Sequence, residues 1–203
     1  VDLGKLLSSQ GITATCDMGN LDPSDSYDTY MAAVKKGFCQ KVGVYYMWEY
    51  FAENPEFQIP ESRFDRSQQI FAAGLKLIGD GSVSVRTAWM NEPYLDSDEC
   101  GFPVCSDELM ESAIAYCKEH HCQLSMHAMG GHAIDRIVDR VYPEEKWTEG
   151  DVPHLRMEHW TEPSESAIRK SAEKGLAVAT QPIFLYAEIE SYLTNLGVER
   201  MKK

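Results

Sequence analysis

LSMHAMGGHAI, residues 124–134, decides the fold of this chain and lies near its middle. Residues 123–126 are apolar at most positions and predict a short buried strand. His127 stands where that strand is expected to end, and Gly130 and Gly131 then lead into a helical pattern. An imidazole at the carboxyl tip of a strand, followed by a glycine-rich turn, is typical of the way α/β barrels place catalytic groups.

The same arrangement recurs in two other segments of the chain. Residues 75–78, LKLI, run into a Gly-Asp-Gly turn, and residues 155–157, LRM, are followed by a glutamate and a histidine. Three strand-like segments therefore carry, in order, Lys76, His127 and His159. Neutral imidazole is the commonest side-chain ligand of catalytic divalent metals, so we interpret these three residues as facing one metal centre.

Each of the three residues also has a purely structural interpretation. A lone histidine is more often a hydrogen-bonded core or surface residue than a ligand. A buried lysine is costly unless it is paired or neutralised, and Lys76 could pair with Asp80 or Glu158 inside a polar barrel. Alternatively, carbon dioxide could carbamylate the Lys76 amine and give an anionic oxygen ligand that bridges two metals. The spacing leaves both interpretations open.

Two polar residues beyond the Lys76 strand are candidates for the reaction itself. A carboxylate at Asp80 and a guanidinium at Arg86 could orient a substrate at this end of the sheet. The structural alternatives are an ordinary Asp-Gly turn for Asp80 and a surface salt bridge for Arg86.

Strand and helix patterns alternate about six times along the chain, which predicts a parallel sheet with crossover helices in a single domain, residues 1–203. Strands are expected at residues 12–18, 42–47, 75–78, 123–126, 154–157 and 176–180. Helices are expected at residues 1–10, 23–36, 66–73, 106–120, 132–141 and 163–174. Residues 80–103 form a long excursion, and loops of that length in a compact domain are usually functional or mobile.

The charge of the chain excludes some partners. It has 32 acidic and 19 basic residues, a net charge of −13, which argues against nucleic acid and against an anionic membrane surface. No apolar run approaches the ~20 residues of a membrane span, and no signal-peptide pattern opens the chain. We therefore expect a cytoplasmic protein that acts on a small-molecule substrate.

The six cysteines include two pairs, Cys100/Cys105 and Cys117/Cys122, each with four intervening residues. This matches the loose end of zinc-site spacing, so a cysteine-based zinc or redox module is one hypothesis for the chain. Reduced thiols, with Cys117 packed as a small hydrophobe on a helix, are the simpler expectation.

Several motifs, taken in order, resemble a known family. They are GLKLIGDGS at 74–82, RTA at 86–88, HAMGGHA at 127–133, RMEH at 156–159 and QP at 181–182. Together they resemble the amidohydrolase-3 branch of the amidohydrolase superfamily, which includes YtcJ-like proteins and N-substituted formamide deformylases. The resemblance covers nearly the whole chain.

The resemblance implies a distorted (β/α)8 barrel with a metal centre at its carboxyl face. Lys76 would match the carbamylated lysine of the family, and His127 and His159 its histidine ligands on the fifth and sixth strands. The metal would be one or two divalent ions, zinc above all. A metal-bound hydroxide would attack an amide or related carbonyl, which makes the expected activity hydrolysis of carbon–nitrogen bonds other than peptide bonds.

The chain departs from the family in two respects. It has no counterpart of the first-strand His-x-His pair or of the eighth-strand aspartate, so we expect a partial (β/α)8 barrel of about strands 2–7, an internal fragment inactive alone. Gly131 and His132 stand where the family usually has aspartate and arginine. The alternative is a truncated or degenerate barrel without metal that serves as a binding or structural unit. An open sheet exposes unpaired edges, so we also expect a homo-oligomer.

Overall fold

The computed structural model describes residues 2–202, and six parallel strands form one sheet in chain order, β1 to β6. The strands are β1 (Ala14–Asp17), β2 (Lys41–Met47), β3 (Ile70–Ile78), β4 (Gln123–Ala128), β5 (Leu155–His159) and β6 (Ala177–Ala179). The helices are α1 (Asp2–Ser9), α2 (Ser26–Val34), α3 (Asp107–Glu119), α4 (Gly131–Val141), α5 (Glu165–Lys174), α6 (Phe184–Ala187), α7 (Ile189–Leu196) and α8 (Val198–Met201). The sheet curls into a half-barrel, which confirms the predicted partial α/β barrel.

The sheet has an apolar outer face and a more polar inner face. Side chains alternate between the two faces along each strand. In β4, Leu124 and Met126 belong to the main hydrophobic core, which the helices cover, whereas Ser125 and His127 do not. The inner face instead carries a small apolar cluster of Tyr45, Phe71 and Ala73, and it also carries buried polar side chains.

The helix expected at residues 66–73 is wrong, because β3 already begins at Ile70. Its first residues pair with β2, with Ile70 opposite Val42. Such a short apolar run cannot be assigned from periodicity alone, and burial on both faces decides in favour of a strand. Gly74 lies inside this strand rather than at a helix end. Its φ is +154°, and a Cβ there would lie 1.7 Å from the Gln123 carbonyl oxygen.

Helices α1 to α5 begin and end where the sequence predicts, within a few residues, whereas α6 to α8 are not among the predicted helices. The Ser106 hydroxyl accepts a hydrogen bond from the Leu109 amide at the start of α3, and Ser164 caps α5 in the same way. Helix α5 ends at Gly175 in the left-handed conformation, φ +62°. Across residues 2–202, no helix combines the length and apolar character that crossing a membrane requires.

A second layer covers the carboxyl end of the sheet. The long connection between β3 and α3, predicted as an excursion, packs against α7 through an apolar cluster of its own. That cluster contains Val83, Ala88, Met90, Tyr94, Met129, Tyr192 and Leu196. Arg200 of α8 forms an ion pair with Glu162 and donates hydrogen bonds to the Glu92 and Pro93 carbonyls, at 3.1 and 3.0 Å. The tail and the long connection therefore form a cap over the sheet end that carries His127 and His159.

Candidate metal centre

His127 and His159 lie side by side at the carboxyl ends of β4 and β5. Their rings meet edge to face with centroids 4.4 Å apart. The strand register pairs His127 with Glu158, so a regular strand would place His159 on the opposite face. His159 and Trp160 instead adopt left-handed backbone conformations, with φ of +75° and +54°. That strained turn brings the His159 ring to the inner face beside His127.

Within residues 2–202, each histidine ring has a hydrogen-bond contact at one nitrogen and none at the other. His127 Nε2 lies 2.8 Å from the Gly81 carbonyl, which can only accept, so this nitrogen carries the proton. His159 Nδ1 lies 2.6 Å from Gln181 Oε1. The Gln181 amide nitrogen donates to the Ala179 carbonyl at 3.1 Å, which turns its oxygen toward the histidine. Burial lowers the pKa of both imidazoles and favours their neutral forms.

Lys76 lies near the carboxyl end of β3 and projects into the same inner space. Its side chain is buried, with 4% of its surface exposed. Burial lowers its pKa to about 8, the charge of Glu158 opposes that shift, and Arg156 reinforces it. The Lys76 charge also lowers the pKa of His127 and of His159, so the three side chains share one electrostatic environment. The structure thus brings together the three residues that the sequence predicts as ligands.

Glu158 is an acidic residue whose charge acts on Lys76, and it is not among the site residues predicted from the sequence. Glu158 is buried on the inner face, where Ser125 donates a hydrogen bond to it at 2.9 Å. Arg156 forms an ion pair with it, Nε to Oε1, at 2.6 Å. Arg156 and Glu158 are two residues apart on one strand, so their side chains share a face. This spacing is the sequence signal that could have indicated a pair between them. Glu158 is therefore paired with Arg156, although its charge also reaches Lys76.

Asp80 lies directly behind His127 and is completely buried. Its carboxylate accepts hydrogen bonds from the backbone amides of Trp89, Met129 and Gly130, at 2.8, 3.0 and 2.8 Å. One oxygen lies 3.5 Å from His127 Nε2. Burial raises the pKa of Asp80, and the three amides oppose that shift. Asp80 thus ties the long connection to the glycine turn after β4 and fixes the position of the loop that holds His127.

Arg86 lies apart from the histidines, in the cap. Its Nε donates a hydrogen bond to Asn195 Oδ1 in α7 at 2.8 Å. Asn195 in turn donates to the Val83 and Ser84 carbonyls, at 2.8 and 3.1 Å. Arg86 therefore serves here as a link between the long connection and α7, and a direct role in orienting substrate stays a prediction.

The residues at the strand ends fit a divalent metal in part. Two neutral imidazoles, each with one nitrogen held by a fixed acceptor, reproduce the usual pattern of orienting contacts around histidine ligands. Lys76 adds a buried amine at the same place. However, within residues 2–202 no three His, Cys, Asp or Glu side chains form a group suited to a metal. This part of the chain thus brings two imidazoles and a buried amine to one place, and the six cysteines are free thiols.

Two curated relatives match this chain. It is 28% identical over 129 residues to YtcJ of Bacillus subtilis (strain 168), which is named as an amidohydrolase, with 63% of this chain aligned. It is 26% identical over 139 residues to the protein LONG AFTER FAR-RED 3 of Arabidopsis thaliana, with 68% aligned. In both cases the alignment covers 24% of the relative, so the chain spans about a quarter of their length.

Solved structures share the fold. Two uncharacterized metal-dependent hydrolases, from Pyrococcus furiosus and Pyrococcus horikoshii OT3, superpose with TM-scores of 0.76 and 0.75 at 21% identity. They cover 99% and 98% of this chain, which spans 41% and 39% of theirs. The family model described as the amidohydrolase family (Amidohydro_3) matches residues 3–203. Because this match spans nearly the whole chain, the chain belongs to the amidohydrolase family.

Proposed function

We propose that the protein is a metal-dependent hydrolase of carbon–nitrogen bonds other than peptide bonds, acting on a small-molecule amide. The observation that carries this proposal is the contact between His127 and His159, each with one ring nitrogen held by an acceptor and the other without a partner among residues 2–202. A strained backbone at His159 accompanies that meeting, and such strain is characteristic of functional sites.

Lys76 is the proposed third ligand. Its amine can add to the carbon of carbon dioxide and release one proton, which leaves a carbamate with two oxygens. Its pKa shift arises from burial and neighbouring charges alone, with no contribution from a hydrogen bond. A carbamate would replace the buried cationic amine with an anionic ligand, which is why we favour it over a structural ion pair.

The remaining side chains position the ligands. Asp80 and Gly81 hold His127, and Gln181 holds His159. A bound divalent cation, zinc in our proposal, would polarise a substrate carbonyl and lower the pKa of water at the site. Because this chain supplies two histidines and one lysine, we propose that further ligands come from sequence outside residues 1–203.

The test is amide hydrolysis by the full-length protein with added zinc, manganese or iron. We expect turnover of uncharged formamides or benzamides that falls at least 1,000-fold in His127→Asn and His159→Asn. His132→Asn is the matched control, because His132 is exposed and its ring stacks on Trp89. Absence of turnover by metal-loaded protein, or full activity of His127→Asn, would overturn the proposal.

One observation favours a second candidate, a barrel that binds partners without metal. No group of three His, Cys, Asp or Glu side chains suited to a metal exists within residues 2–202. The two outer strands, β1 and β6, each leave one edge unpaired, so we propose self-association through these edges. Light scattering at high concentration tests it, and a strictly monomeric protein would contradict it.

A further inference from the structure

Lys76 is a buried amine that has no partner among residues 2–202. Its side chain is 4% exposed, yet it takes part in no hydrogen bond and no ion pair with that part of the chain. The two carboxylates that its sequence position would allow as partners, Asp80 and Glu158, are both engaged elsewhere. Asp80 accepts three backbone amides. A buried amine normally has an anionic or hydrogen-bonding partner, so the isolation of Lys76 requires a structural cause.

Two side chains bind the Glu158 carboxylate. The Ser125 hydroxyl donates a hydrogen bond to Oε1 at 2.9 Å, and Arg156 Nε lies 2.6 Å from the same oxygen. Arg156 Nη2 donates to the second oxygen, Oε2, at 3.3 Å. Both carboxylate oxygens therefore have a partner other than Lys76.

The strand register places these groups in one row across the sheet. Lys76 of β3 lies opposite Ser125 of β4, and Ser125 lies opposite Arg156 of β5. Glu158 is two residues beyond Arg156 on the same strand, so the two side chains share the inner face. The charges of Glu158 and Lys76 already act on each other. Without Arg156, the carboxylate would have the Lys76 amine as an alternative partner.

Such an ion pair would change what Lys76 can do. An amine held against a carboxylate is an ammonium, which has no lone pair, whereas an unpaired amine can add to an electrophilic carbon. The signs of the neighbouring charges agree with this interpretation. Beside the larger effect of burial, the charge of Glu158 raises the pKa of Lys76 and that of Arg156 lowers it.

We propose that Arg156, together with Ser125, is a positioning residue that holds Glu158 and thereby keeps the Lys76 amine unpaired and reactive toward a small electrophile such as carbon dioxide. The inference rests on the proposed function, because it explains how a buried lysine stays available for carbamate formation. Arg156 acts through Glu158, and its role requires no contact of its own with Lys76.

Labelling with potassium cyanate tests this role without metal and without turnover. Isocyanic acid, the protonated form of cyanate, is a small cumulated molecule like carbon dioxide. The amine lone pair forms a bond to its carbon, and a proton passes from the amine nitrogen to the isocyanic nitrogen, which leaves a stable urea. The full-length, EDTA-treated protein is labelled in buffer free of carbon dioxide, digested and analysed by mass spectrometry. Exposed Lys36 is the internal reference, and we expect Lys76 to be labelled at least as fast despite its burial.

Two single variants remove one member of the ion pair each. In Arg156→Met the freed carboxylate pairs with Lys76, so we expect labelling of Lys76 to fall about tenfold or more relative to Lys36. In Glu158→Gln no carboxylate remains to pair with the amine, so the wild-type rate is kept. The matched control is Arg140→Met, which breaks an ion pair with Glu111 on the outer helices and leaves the labelling of Lys76 unchanged.

Two further variants separate positioning from a merely structural effect. Arg156→Lys still offers a cation to Glu158, so most of the labelling of Lys76 is retained. Arg156→Met/Glu158→Gln lacks both charges, and it recovers the wild-type rate because the amine again has no carboxylate to pair with. Replacing both members of a buried ion pair by uncharged side chains is often neutral for stability. Near-UV circular dichroism verifies that each variant is folded.

The outcomes separate this inference from the proposed function. Equal labelling of Lys76 in the wild type and in Arg156→Met, or no recovery in the folded double variant, would overturn the inference. No labelling of Lys76 in the wild type would overturn it as well. If amides are hydrolysed but the variants label alike, the positioning role is wrong and the hydrolase stands. If labelling follows the expected pattern and metal-loaded protein hydrolyses no amide, the positioning role stands and the hydrolase fails.

Discussion

His127 and His159 meet edge to face, 4.4 Å between ring centroids, although the register of their strands would direct them to opposite faces of the sheet. The left-handed conformation of His159, φ +75°, reconciles the two facts. Such a conformation costs about 1–2 kcal/mol for a residue with a Cβ. The fold therefore maintains an unfavourable backbone at the point where the two imidazoles come together.

The contact between Gln181 and His159 predicts that a side chain outside the ligand set controls metal affinity. In Gln181→Ala, His159 loses the acceptor 2.6 Å from its Nδ1, and its ring can turn or change tautomer. Loss of an orienting partner of this kind typically lowers metal affinity about 10–100-fold, and we expect that range here. Competition with a chromogenic chelator measures the change. Gln68→Ala, at an exposed glutamine, is the control, and equal affinities of the two variants would refute an orienting role.

The close approach of the strands at Gly74 predicts that replacing this glycine with alanine greatly lowers the stability of the fold. In Gly74→Ala the new Cβ would lie 1.7 Å from the Gln123 carbonyl oxygen, so β3 and β4 must separate. We expect a decrease of about 3 kcal/mol or more in the free energy of unfolding. The matched control is Gly37→Ala, where φ is +94° but no atom lies within 4 Å, and about 1–2 kcal/mol is expected. Urea denaturation compares them, and equal losses would contradict the steric explanation.

Burial of His154 predicts a pH dependence of the free energy of unfolding, and the substitution His154→Leu should remove it. The side chain is 1% exposed, neither ring nitrogen has a partner within residues 2–202, and burial lowers its pKa to about 4. Unfolded histidine titrates at about 6.5, so between those values the unfolded state binds the extra proton. Stability is complete above pH 6.5 and falls as the pH decreases toward 4, by about 3 kcal/mol for this residue.

The measurement for His154 is the free energy of unfolding at several pH values for the wild type and for His154→Leu. The leucine keeps an apolar contact with Trp147, whose ring centroid lies 4.5 Å from that of His154. We expect the difference between the two proteins to change across pH 4–6.5 and to stay constant above it. A constant difference across the whole range would show that the imidazole titrates equally in the folded and unfolded states, which would contradict the lowered pKa.

The hydrogen bonds of Asn195 predict that one substitution destabilises the cap without altering His127 or His159. In Asn195→Ala the hydrogen bond from Arg86 and those to the Val83 and Ser84 carbonyls are lost. We expect a loss of about 2–3 kcal/mol, together with faster amide hydrogen exchange in residues 82–95. Asn54→Ala, at an exposed asparagine, is the control. Unchanged exchange would mean that the apolar cluster alone holds the long connection.

The sequence was most informative where periodicity is strong. The strands that end near His127 and His159 and the helices capped at Ser106 and Ser164 are correctly predicted, because local pattern and burial agree there. The segment before Gly74 was assigned to a helix, since a short apolar run has no period of its own until its neighbours cover it.

The position of the three candidate ligands was predictable from the sequence, and their surroundings were less so. Lys76, His127 and His159 come together as expected, because parallel strands bring their carboxyl ends to one edge. Arg86 contacts Asn195, which is 109 residues away in the chain, and no local pattern encodes such a pair. The left-handed turn at His159 is also invisible in a sequence that has no glycine there.

The most direct test of the account is the metal content of the full-length protein after metal-replete expression, measured by inductively coupled plasma mass spectrometry. His127→Ala and His159→Ala are compared with His132→Ala, whose side chain is exposed. We predict about one or two ions per chain in the wild type and the control, and a near-complete loss in the other two variants. No metal in the wild type, or the same content in His127→Ala, would contradict the proposed metal centre.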